Sequence, residues 1–310
     1  MKQLHFEQVS VLTAPYLHHT LEYALDSIAA NGFHGVELWG ASPHFCMDDY
    51  TPEERAARIR EIRQMLKDRN LRLSAFQPEQ CRQYPINIAS PIAYVRERSI
   101  QFMEQYLEDT LDLGTDRMIL APGWGYVDAP EEEAFARSVE AIRRLAEKAA
   151  ALGVKLYMEE MDPLSTLLVR DLPHLKKLLD AVGSPAVSAC LDTFMAADNQ
   201  ETVEQYYEAF GQIGYVHFSD YGKEGYMVPG TGEMAALQQE KADGDATAEA
   251  PAEKQGAKTV LERQLESLAA HHYEGDLVLG LWGAGYFKDP DAALRRSVQW
   301  VREILCKKSI

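Results

Sequence analysis

Basic residues are scarce in this chain. Lys and Arg number 31 against 48 Asp and Glu over 310 residues, a net charge of −17. A polyphosphate partner needs a basic footprint, so the deficit argues against nucleic acid and against anionic membrane surfaces. Cysteine is also scarce. Cys46, Cys81, Cys190 and Cys306 form no CxxC pair, which excludes zinc-ribbon and thioredoxin-like motifs and fits free thiols in a reducing cytosol. No apolar run reaches the ~18 residues that span a bilayer. The opening MKQLHFEQVSVLTAPY lacks the apolar core and small-residue cleavage site of a secretion signal, so a cytoplasmic protein is expected. No GxxxxGK[ST] occurs either, so the PGTG at 229–232 is not read as a nucleotide loop.

What is present is an alternation. Hydrophobic residues make up 46% of the chain, enough for a large core. Short apolar runs predict strands at 5–12, 35–39, 71–76, 117–122, 155–161, 187–193, 214–220 and 276–282. Amphipathic stretches predict helices near 20–31, 52–69, 90–114, 130–152, 171–182, 201–211, 258–272 and 289–306. Thr51-Pro52-Glu53-Glu54 carries a cap, an N1 proline and first-turn acids. Gly32, Gly114 and Gly153 stand where helices should stop. Eight such units favour closure into a (β/α)8 TIM barrel over an open sheet, with residues 1–310 as a single domain. Residues 240–258, EKADGDATAEAPAEKQGAK, hold no aromatic side chain and are expected to be a low-complexity insertion in the loop after strand 7.

Barrel chemistry sits at the C-terminal ends of the strands. Three strands end on groups that bind cations: Glu159 in KLYMEEM, Asp192 in VSACLDT and His217 in GYVHFSD. Two carboxylates and an imidazole suit Mn²⁺, Co²⁺, Zn²⁺ or Fe²⁺ better than Mg²⁺, which prefers an all-oxygen shell. Blander readings compete: an ion pair for Glu159, a helix N-cap for Asp192, a core imidazole for His217. Glu160 follows Glu159, and strand alternation aims only one of them inward. The fourth run, DLVLGLW, offers Gly280 where a fourth ligand is expected. Around these lie further candidates. His44 is read as a supplementary acid/base, and Glu37 and Glu79 as substrate contacts. Trp124 and Trp282 are read as aromatic walls for a substrate.

The motifs GFHGVELWGASPH (32–44), FQPEQCRQYPIN (76–87), GVKLYMEEMDP (153–163), LDTF (191–194), VHFSD (216–220), VPGTGEM (228–234) and YEGDLVL (273–279) run in one order along most of the chain. Together they resemble the sugar isomerase/epimerase family with a xylose-isomerase-like barrel, nearest the fructoselysine 3-epimerases and ketose 3-epimerases. The resemblance implies a divalent metal, Mn²⁺ foremost, gripping two oxygens of a ketose and acidifying the carbon beside its carbonyl. It implies Glu159, rather than Glu160, as metal ligand and catalytic base, with Asp192 and His217 as further ligands. Two departures stand out. The family's second Glu falls on Gly280, and Met195 replaces a histidine common after LDTF. Three functions follow as expectations. The first is a metal-dependent isomerase or 3-epimerase of a ketose, sugar or sugar-amine conjugate, with altered chemistry. The second is a C-glycoside deglycosidase-type lyase acting on 3-oxo glycosides, with a small partner subunit. The third is a metal-free or inactivated sugar-binding protein. Apolar helix faces would also permit a homo-oligomer.

Overall fold

The computed structural model describes residues 4–80, 86–223, 225–233 and 258–306. Ten strands occur among them: β1 (Val9–Leu12), β2 (Gly35–Gly40), β3 (Arg72–Pro78), β4 (Arg117–Ile119), β5 (Lys155–Met158), β6 (Val187–Asp192), β7 (Tyr215–Phe218), β8 (Asp220–Gly222), β9 (Gly225–Met227) and β10 (Leu277–Leu279). Eight of these close in the order β1-β10-β7-β6-β5-β4-β3-β2, and every neighbouring pair is parallel. The expected (β/α)8 barrel is therefore formed. β8 and β9 make a separate antiparallel hairpin after β7, which the sequence pattern did not suggest.

The helices follow the predicted stretches closely: α1 (Leu21–Ala30), α2 (Pro52–Asp68), α3 (Ala93–Leu113), α4 (Glu131–Leu152), α5 (Leu172–Val182), α6 (Thr193–Asp198), α7 (Val203–Phe210), α8 (Val260–Ala270), α9 (Ala284–Lys288) and α10 (Pro290–Cys306). Local chemistry sets their ends. Thr51 and Glu54 form the reciprocal capping box at the start of α2, each side chain taking the other's backbone N–H. Gly114 and Gly153 end α3 and α4 at φ +103° and +77°, a left-handed backbone that costs glycine nothing. α1 stops on Asn31, with Gly32 one residue beyond. The short α6 and α9 were not expected.

The core has two layers. Between strands and helices lies the main apolar layer, with Leu25, Ile28, Phe76, Met103 and Leu178 among its fully buried members. A smaller cluster fills the barrel itself: Leu12, Trp39, Ala75, Ile119, Tyr157, Cys190, Tyr215 and Val278. Burying such side chains stabilises the fold by ~1.5–3 kcal/mol each. The N-terminal end is closed by charge, since Asp276, just before β10, pairs with Arg72 and Arg117 at the starts of β3 and β4. The opposite end is left to function. The insertion expected at 240–258 lies outside the described residues apart from Lys258.

Candidate active site at the barrel mouth

Strand register brings the site together. Asp192 of β6 sits directly across from His217 of β7, and Cys190 across from Tyr215 one layer deeper. Residues two apart on a strand share a face, so Cys190 and Asp192 both belong to the barrel side. Glu159 follows the last residue of β5. Its Oε2 lies 2.5 Å from His217 Nδ1. The other ring nitrogen, Nε2, lies 3.1 Å from both oxygens of Glu37, a fully buried carboxylate on β2. Tyr215 donates its hydroxyl to Glu37 Oε2 at 2.8 Å. Burial is the largest influence on the His217 ring and favours its neutral form. The carboxylates of Glu159 and Glu37 outweigh it and hold the imidazolium well above the usual histidine range.

Asp192 serves two purposes. Oδ1 accepts the backbone N–H groups of Phe194 (2.8 Å) and Met195 (3.1 Å), capping α6 as a helix N-cap should. Oδ2 accepts the Tyr226 hydroxyl at 3.1 Å. Burial first, then the charge of Glu159, pushes its pKa up to about 7. The Glu159/Glu160 ambiguity is resolved by partners. Glu160 instead accepts from Tyr206 and Asn199, and burial together with Glu201 pushes it up to about 9.

The donor set can be tested against a divalent ion. One ligand atom each from Glu159, His217 and Cys190 lies within 4.8 Å of the other two. Asp192 falls outside that tight cluster; Oδ1 is taken up by its two backbone N–H bonds, while Oδ2, which accepts from Tyr226, keeps a lone pair for a shared ion. Gly280 supplies no ligand, and there is space for one. A Cβ built there would meet only Leu12 Cδ2, at 4.0 Å. A buried acid–imidazole–acid group with a thiol beside it fits a borderline cation. Cys190 was missed by reading only the last residue of each strand; its offset of two from Asp192 was the available signal.

The cavity above these groups is lined by Trp39, Gln77, Glu79, Ile119, Glu159, Met161, Tyr226 and Trp282, among others. Trp39 and Trp282 meet edge to face, centroids 6.1 Å apart, and Trp39 donates Nε1–H to Glu79 Oε2 at 3.1 Å. The sequence-based roles divide here. Glu79 and Trp282 line the cavity. Glu37 does not; it stands behind His217, so its expected substrate contact is corrected to a support for the imidazole. Trp124 is also corrected. It is absent from the described lining, its backbone pinned by Asn87, and Trp39 takes the place of the expected wall. His44 is corrected too. It is fully buried, with Nδ1 on Thr13 Oγ1 (3.0 Å) and Nε2 on the Tyr16 carbonyl (3.2 Å), which leaves no nitrogen for a substrate.

A closed parallel barrel with ionisable groups gathered at its C-terminal mouth defines the class. A family model described as a xylose isomerase-like TIM barrel matches residues 25–304, and the chain belongs to that family. Fructoselysine 3-epimerase of Escherichia coli O157:H7 is 23% identical over 218 residues, covering 69% of this chain and 77% of the relative. L-ribulose 3-epimerase of Mesorhizobium japonicum is 28% identical over 155 residues, 49% of this chain and 52% of the relative. D-psicose 3-epimerase of Clostridium cellulolyticum H10, solved with D-tagatose, superposes with a TM-score of 0.70 at 18% identity, covering 98% of this chain and 99% of that one. Among the described residues no helix is long and apolar enough to cross a membrane.

Proposed function

We propose that this chain is a sugar isomerase or 3-epimerase that removes a proton beside the carbonyl of a ketose or a sugar-amine conjugate. One observation carries the reading: Glu159 lines a tryptophan-walled cavity while bonded to His217, whose other nitrogen is held by buried Glu37. Glu159 is the base, exposed to the cavity on one side and oriented by the imidazole on the other. Glu159, Asp192 and His217 would hold a divalent cation, which when bound polarises the substrate carbonyl and acidifies the neighbouring carbon. Trp39 and Trp282 offer apolar faces to the sugar's C–H groups, and Glu79 accepts hydrogen bonds from its hydroxyls. The named epimerase relatives support a ketose substrate class.

Gly280 shapes the chemistry. No carboxylate faces Glu159 from β10, so proton removal and return both fall to one side of the substrate or to water. Same-face transfer is aldose–ketose isomerisation; return by water permits epimerisation. The test is proton exchange in deuterated water. D-fructose, D-psicose, L-ribulose and a fructosyl-amine are incubated with protein loaded in turn with Mn²⁺, Co²⁺ and Zn²⁺. Deuterium at C3 marks epimerase chemistry and at C1 isomerase chemistry. Glu159→Gln should slow it by at least about 10²-fold, the usual worth of a positioned base. The absence of exchange at both carbons and of any isomerised or epimerised product, with every cation, removes the proposal.

A further inference from the structure

Resting on the reading that the mouth holds a cation, we propose that Cys190 is one of its ligands. Cys190 then joins Glu159 and His217 as the tight core of a site for Zn²⁺ or Co²⁺, with Asp192 beside it, in place of the oxygen-rich set that a glutamate at 280 would complete. Distances carry the argument first. Zn–S is ~2.3 Å and Zn–N or Zn–O ~2.0–2.1 Å, which places ligand atoms around a tetrahedral ion roughly 3.3–3.6 Å apart. Cys190 Sγ already lies 3.8 Å from Glu159 Oε2. The Glu159–His217 contact, 2.5 Å, has to open by about 1 Å for the ion to enter.

The surroundings point the same way. Cys190 shares its register pair with Tyr215. The Tyr215 hydroxyl holds Glu37, and Glu37 holds His217 Nε2, leaving Nδ1 aimed at Glu159. A carboxylate on the far nitrogen is the usual outer support of a metal-bound histidine. Charge balances as well. A thiolate beside the carboxylates of Glu159 and Asp192 restores the negative charge that a glutamate at 280 would have supplied. The open space at Gly280 leaves a position for water or a substrate oxygen. Mn²⁺ is the wrong partner for such a set, because a thiolate selects softer ions than carboxylate and water do. Packing alone explains less. The remaining members of the barrel-filling cluster are apolar or aromatic, so Cys190 alone among them brings a thiol to Glu159.

The experiment uses the full chain, freed of metal and then loaded with Co²⁺ or Zn²⁺. A thiolate on Co²⁺ gives an intense near-ultraviolet charge-transfer band. The expected result is one Co²⁺ per chain with that band. Cys190→Ser should lose the band and bind Zn²⁺ about 100-fold more weakly, while Asp192→Asn should keep the band. X-ray absorption on the unaltered Zn²⁺ protein counts sulfur ligands without any substitution, so a poorly folding variant does not decide the outcome; one sulfur is expected. Zero sulfur, or a band that survives Cys190→Ser, overturns the thiolate ligand while leaving the cation in the functional reading. Failure to bind either ion overturns the thiolate ligand, whereas Mn²⁺ loading and deuterium exchange test the cation and the proton chemistry of the functional reading separately.

Discussion

His44 gives the sharpest quantitative consequence of the fold. Its Nε2 meets the Tyr16 carbonyl, so that nitrogen carries the proton and donates. Its Nδ1 then accepts from the Thr13 hydroxyl, whose oxygen in turn accepts the Trp39 backbone N–H at 3.0 Å. Every partner is satisfied with a neutral ring. Burial is the main cause of a pKa lowered to about 4. An unfolded histidine titrates near 6.5, so between about pH 6.5 and pH 4 the unfolded chain binds the extra proton. This contribution is complete above about pH 6.5 and is lost as the pH falls toward 4. The shift from 6.5 to about 4 corresponds to about 3 kcal/mol, of which about 2 kcal/mol is lost between pH 8 and pH 5. His44→Gln keeps an N–H donor for the Tyr16 carbonyl and cannot titrate. It should cost about 1–2 kcal/mol at pH 8 through imperfect packing and hydrogen bonding. By pH 5 that gap should close, because the wild type alone carries the protonation penalty. Urea unfolding from pH 8 to pH 5 measures it. Parallel stability curves would refute the neutral buried imidazole. A deuterium-exchange rate that lost an ionisation step in His44→Gln would restore the acid/base role rejected above.

Gly280→Glu should fold with little change in stability, since its Cβ enters open space and the Gly280 N–H to Phe218 carbonyl bond is a backbone contact. It should retain divalent metal at least about 10-fold more tightly through the added carboxylate; unchanged affinity in a folded variant would show that position 280 does not face the ion. Glu160→Gln should gain stability relative to wild type at pH 8 and lose that advantage by pH 5. A carboxyl whose folded pKa is raised to about 9 is most favourable below its unfolded value of 4.5 and grows costly as pH rises toward 9. Thermal melts of both proteins across that range check it, and a variant equally destabilised at every pH would contradict the raised pKa.

How far the sequence could be read depends on the range of each interaction. Strand and helix existence follows from local periodicity and caps, so Thr51, Gly114 and Gly153 were placed correctly from residues a few positions away. The β8–β9 hairpin escaped because DYG and GYM are three residues each, too short for alternation to register. Asp192 was legible as a helix cap, and the same strand end sets it across from His217 in the mouth. The pairing of Glu37 with His217 spans 180 positions, and no local pattern encodes it. An acid at a strand end was therefore read as facing substrate, although register with Leu12 and Ala75 places it behind the imidazole. Cys190 is the instructive case. A barrel stacks its inward side chains in layers, so each strand contributes residue i to the mouth and residue i−2 to the layer beneath. Reading only the mouth finds Asp192 and His217. Reading one layer deeper finds Cys190 beside Tyr215, and with it a soft donor that the missing glutamate at 280 gives reason to look for.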